Sequence, residues 1–184
     1  MKLLKVIGFT CIAILAVLSL LWWGCDPHRP NDQSLELRFY KHRSDFERLV
    51  AMMDEDWKMS RIASDFTATQ DNGAWPRPES EWGISRARWD EYRKIFDRTG
   101  LDGGTTRREK SSDVMVDVWS WGIVPAESAI SYLHCGTPRN GYAPVEPPCT
   151  EKRDSGRGMY GPSTTFGYRY KKITEDWYIF EEFN

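Results

Sequence analysis

The longest apolar run of the chain lies at its start. From Val6 to Cys25, twenty residues follow one another without a charge, framed by Lys2 and Lys5 on one side and Asp26 on the other. At about 1.5 Å per residue, such a helix spans roughly the 30 Å hydrocarbon core of a bilayer. The two lysines favour a cytoplasmic start and send the remainder outward. Trp22 and Trp23 close the run at the depth where an indole buries its ring and still hydrogen-bonds. Residues 1–25 therefore read as a membrane anchor or signal segment. Residues 26–34, with Pro27 and Pro30, read as a polar tether.

Beyond the tether, the periodicities predict one α+β domain over residues 35–184. Leu35-Glu36-Leu37-Arg38-Phe39 alternates at period two and predicts a first strand. Ser44 and Glu47 have the spacing of a capping box, and Phe46, Leu49, Val50 and Met53 then mark one face of a helix reaching about Lys58. Arg61 to Phe66 fits a short strand or an extended connection. Thr67 to Glu81, with Asn72-Gly73, Pro76 and Pro78, predicts a loop. Ser85 caps a second helix whose stripe is Trp89, Tyr92 and Phe96, widened by Ile95, and which Thr99-Gly100 ends. Leu101 to Ser112 is polar and reads as a mobile turn around Gly103-Gly104.

The period then changes. Val114, Val116 and Val118 alternate with Met115, Asp117 and Trp119, predicting a strand over 113–124 with Ser128 to Leu133 as its hairpin partner. Thr165 to Ile173 and Trp177 to Phe183 form a second hairpin about Thr174-Glu175-Asp176. The expected architecture is two helices packed on an antiparallel sheet.

Cysteines and charge sharpen this picture. Gly24-Cys25 resembles the end of a bacterial lipoprotein signal, which implies lipid attachment at Cys25; the alternative is an uncleaved helix. Cys135 and Cys149 stand alone in the domain. A disulfide between them would close a loop holding Pro138, Gly141, Pro144, Pro147 and Pro148, as expected in an oxidising compartment. Setting aside Lys2 and Lys5, the 25 basic and 27 acidic side chains become 23 and 27, a formal charge of −4. That balance argues against a nucleic-acid partner.

Candidate chemistry is sparse. The chain has no Gly-x-Gly-x-x-Gly after a strand, no phosphate-loop lysine motif, no His-Glu-x-x-His and no Gly-x-Ser-x-Gly, so no cofactor is expected. His134 beside Cys135 lacks a second close cysteine for a metal, and a disulfide at Cys135 removes the nucleophile. Asp54-Glu55-Asp56 reads as a solvated helix end, and Arg107, Arg108 and Lys110 as a solvated loop. Trp75, Arg77 and Trp82 form a possible binding surface around alternating prolines, unless the tryptophans tuck against the second helix.

The expectation is a membrane-anchored, extracytoplasmic, non-enzymatic envelope protein, bacterial and periplasmic in setting, held by membrane lipid and acting on a protein partner or in envelope upkeep. A hydrolase or carbohydrate-active protein with an unrecognised carboxylate pair, and a small-ligand module, are the alternatives.

Overall fold

The computed structural model describes residues 29–71, 73, 77–123, 126–139, 141–150 and 167–183. The run read as an anchor, Cys25 and Trp75 lie outside them. Among the described residues no helix is long and apolar enough to cross a membrane.

The domain is α+β. Among the described residues the strands are β1 (Met59–Ile62), β2 (Thr67–Thr69), β3 (Gly104–Thr106), β4 (Val114–Ile123), β5 (Ala126–His134), β6 (Gly167–Lys172) and β7 (Trp177–Phe183). They form one antiparallel sheet in the order β2-β1-β3-β4-β5-β7-β6. Three helices of ten residues or more, α1 (Asp32–Lys41), α2 (Arg43–Glu55) and α3 (Arg86–Thr99), contribute to the main core with the sheet. A short turn of helix, α4, covers Pro147–Thr150.

The expected strand at Leu35–Phe39 is instead the middle of α1. Leu35 and Phe39 are buried four residues apart, a helical repeat, whereas Leu37 is 65% exposed. Asn31 starts the helix: its Oδ1 accepts from Ser34 N at 2.8 Å, within the stretch read as tether. The sheet then holds this helix by its first turns. Arg169 grips Asp32 with two hydrogen bonds of 2.8 and 2.7 Å, and the Tyr132 hydroxyl donates to Leu35 O at 2.7 Å. The expected cap at Ser44 is also replaced. The cap position lies two residues earlier, at His42, and Glu47 pairs with Arg43 rather than reaching back to a cap.

Helix α3 starts and stops as its sequence predicts, with Ser85 accepting from Arg88 N and Gly100 in the left-handed region. Arg38 donates to the carbonyls of Thr99 and Gly100, satisfying the end of that helix. Phe39, Phe46 and Tyr132 meet at centroid distances of 5.0 to 5.9 Å, joining α1 and α2 to β5.

Two loops conceal short strands. β2 falls within Thr67–Glu81, and β3 falls within Leu101–Ser112, where no alternation announces it. β4 also departs from simple alternation. Its register shifts between Asp117 and Trp119, so Trp119 joins Val114, Val116 and Val118 against the main core. The opposite sheet face carries Met115, Leu133, Tyr170, Tyr178 and Phe180 as a second buried cluster.

Gly104 fixes the junction of β1 and β3. It has φ +84°, and a Cβ there would run into the Ile62 carbonyl and the Ala63 backbone. Gly104→Ala should lower stability by about 2–3 kcal/mol, read as a fall in the urea midpoint; an unchanged midpoint would contradict this close approach.

Candidate interaction surface

A carboxylate at the foot of β4 organises the most distinctive part of the domain. Asp113 is 2% exposed, so its charge needs partners inside the protein. It finds three backbone amides: Gly136 N at 3.1 Å, Val145 N at 2.8 Å and Glu146 N at 3.0 Å. These amides lie at the two ends of the proline-rich loop after β5. Cys135 and Cys149 close the same loop as a disulfide, with a Cα separation of 5.2 Å. Ser112 N donates to Ala143 O and Ala143 N to Lys110 O, stitching the middle. At the tip, Arg139 and Tyr142 exchange backbone hydrogen bonds of 2.9 and 2.7 Å around Gly141, whose φ of +79° permits the tight turn.

Beside this loop lies an ionic cluster that the sequence pattern conceals. Asp54 is not solvated at the end of α2. Arg107 donates to it at 2.5 Å, and Arg139 contacts the same oxygen from the loop. Arg107 is likewise no solvated loop residue, being 2% exposed. Burial pulls both guanidiniums below their usual values. Two arginines share one aspartate, and the Asp113 charge also acts on Arg107. Neither Nε has a hydrogen-bond partner among the described residues. Trp57 stands next to the cluster with its ring 5.7 Å from Tyr142, and Lys58 Nζ lies 5.4 Å from the same indole. Val145 is exposed on the loop. The result is an aromatic and basic surface on a covalently closed loop.

Comparison with protein-family models, with curated proteins and with solved structures finds no match to this chain. The remaining chemistry must be read from geometry alone.

The sequence candidates take other roles. Arg77 and Trp82 are both 8% exposed. Arg77 donates to Thr67 O and to Glu81 O, while Trp82 Nε1 donates to Arg77 O at 3.1 Å and its ring meets Trp89 at 4.8 Å. They lock the connector before α3 onto β2, so their polar groups serve the fold. Asp56 and Glu55 both bind Arg88, joining α2 to α3. His134 packs its ring 4.8 Å from Trp177, and Cys135 is oxidised, so no thiol nucleophile stands there.

Among the described residues, Asp117 and Glu146 have raised pKa values, each mainly through burial. Asp117 accepts from Thr106 and Ser131, with Arg61 at 3.9 Å. Glu146 accepts from Tyr170 at 3.0 Å and pairs with Arg108 at 3.0 Å. Each has its own partners, and nothing in their contacts brings them to one shared cleft.

Asp113→Ala should cost about 3 kcal/mol, because three amides lose a charged acceptor, and should speed hydrogen exchange at Gly136, Val145 and Glu146. Unchanged exchange there would show that the disulfide alone fixes the loop. For Glu146, a folded pKa above the ordinary 4.5 means that the folded state holds the proton more tightly. Its contribution therefore falls as pH rises through 4.5 toward the folded value. The stability of Glu146→Gln relative to the parent should accordingly increase from about pH 4 to about pH 7 in urea titrations; a constant difference would refute the assignment.

Proposed function

We propose that this chain is a membrane-tethered, extracytoplasmic, non-enzymatic protein that acts by contact with another envelope protein. One observation carries the reading. The loop from Cys135 to Cys149 is closed by a disulfide and pinned by Asp113, and it brings Tyr142 to Trp57 and Arg139 to Asp54, with Val145 exposed on the same loop. Arg, Tyr and Trp are the residue types that dominate protein interfaces, and a loop held in place loses little freedom on binding. The disulfide supports an oxidising compartment, consistent with an apolar N-terminal run that carries the domain outward. The two arginines at Asp54, with Lys58 beside Trp57, favour a partner that presents a carboxylate.

The alternatives draw less support. A hydrolase needs two carboxylates converging on a cleft, whereas Asp117 and Glu146 have separate partners. A ligand module under the aromatic sheet needs an opening, whereas Tyr170, Tyr178 and Phe180 are buried against one another's strands.

The test places a photo-cross-linking amino acid at Val145 of the full chain, in the cells that carry it. A discrete adduct with one envelope protein should form, and Arg139→Glu should reduce it about thirtyfold, the loss expected of a central interface arginine. No adduct, or one indifferent to Arg139→Glu, would reject this surface. Flotation of the same membranes tests the tether separately.

A further inference from the structure

The β4–β5 hairpin runs past its neighbours. β3 pairs with β4 only from Met115 to Asp117, and β7 reaches no further along β5 than Ala129↔Glu182. β4 and β5 go on pairing from Trp119↔Ile130 to Ile123↔Ala126. Beyond Asp117, no strand among the described residues pairs with the outer edge of β4, and no other main-chain hydrogen bond among them reaches it. The register shift between Asp117 and Trp119 falls where β3 leaves, and a bulge bends the strand that carries it. Ser120 and Trp121 are neighbours in β4, so their side chains leave on opposite faces, and both are exposed. Neither face of the ribbon is covered at that row.

Strand edges are normally blunted by being short or by carrying charges, lysine above all, or proline. The other two edges of this sheet follow that rule. β2 is only Thr67–Thr69, and β6 carries Arg169, Lys171 and Lys172. The β4 edge from Val118 to Ile123 reads Val-Trp-Ser-Trp-Gly-Ile, with neither a charge nor a proline. Glu127 belongs to β5, where it pairs with Gly122 one strand back from this edge. Alternate residues of the edge aim their N–H and C=O groups away from β5, and a ribbon of two strands is marginally stable until a third joins it.

We infer that this edge of β4 pairs with the same edge of a second copy of the chain, antiparallel about a two-fold axis at Trp121. Trp121 then faces its own counterpart, and Trp119 faces the partner's Ile123. Three features select a second copy as the occupant. A two-fold axis presents an antiparallel edge to itself, so the same residues supply both donors and acceptors. The edge carries no charge, so a copy meets no like charge across the seam; Glu127 and its counterpart stand three strand spacings apart, or about 14 Å. The opposed indoles also form an aromatic cross-strand pair, with Trp121 already 53% exposed to receive it. The seam lies at the opposite end of β4 from Asp113 and its clamped loop. It leaves Trp57, Arg139 and Tyr142 outside it and does not depend on the contact proposed for them.

The test follows the mass of the full chain in detergent micelles by sedimentation, from about 1 to about 300 µM, since so short a seam gives a weak, reversible pair. A monomer–dimer equilibrium is expected. Trp121→Lys sets two cations opposite each other and should weaken the dimer about tenfold, with the circular dichroism of the parent retained. Under mild oxidation, Trp121→Cys should form an intermolecular disulfide with its own counterpart, located by mass spectrometry, whereas Ser44→Cys, exposed on α2, should not. A monomer at every concentration would overturn the inference. So would a dimer indifferent to Trp121→Lys, or cross-linking at Ser44→Cys as fast as at Trp121→Cys. Should Trp121→Lys alter the circular dichroism, the cross-link alone decides.

Discussion

The pairing of β4 with β5 is the constraint on which the rest of the domain depends. It runs unbroken from Val114↔His134 to Ile123↔Ala126 apart from one bulge. β3 leans on one side of it and β7 on the other, and through them the short strands β1, β2 and β6. Because side chains alternate across it, this pair contributes to both buried clusters: Val116, Ile130 and Tyr132 on the helical side, Met115 and Leu133 on the other. Its two ends differ in character. One ends in Asp113 and Cys135, which fix the proline-rich loop, and the other in a two-stranded ribbon that neither β3 nor β7 flanks.

Around that spine, charged side chains act as ties between distant parts of the chain. Desolvating an ion is costly unless it is paired and hydrogen-bonded, so each half-buried carboxylate here is held by specific donors. Arg169 joins the last hairpin to the first helix through Asp32, and Arg88 joins α3 to α2 through Asp56. Arg38 caps α3 from α1. Asp113 differs in taking backbone amides, and it therefore fixes a loop that has little regular structure of its own. At Asp54 the pairing is uneven, with two arginines on one carboxylate.

Much of the fold is legible locally. Helix α3 is bounded by Ser85 and Gly100 because caps are local chemistry, and β7 follows the aromatic run from Trp177 to Phe183. The disulfide partners were legible by elimination, as two cysteines with no other role in the domain. Failures have equally physical causes. Leu35, Leu37 and Phe39 satisfy period two, but Leu35 and Phe39 also satisfy a helical repeat, and Asn31 with Ser34 settles the choice. β2 and β3 are three residues long, too short for any period to show, and exist because neighbouring strands offer hydrogen bonds.

The sequence by itself determined the apolar N-terminal run, the α+β class, the Ser85 and Gly100 ends of α3, and which cysteines were free to pair. Those properties depend on residues within a few positions of one another, or on composition. The tertiary structure alone decided which charges are buried. Asp54 and Arg107 read singly as solvated, yet they meet each other and Arg139 because α2, the end of β3 and the clamped loop converge. It also decided that Arg77 and Trp82 serve the interior. Above all it placed the start of α1 toward the free end of the β4–β5 hairpin and the clamped loop at the other end of the sheet. Strand order and register set that arrangement, and they arise from long-range pairing that no local pattern encodes.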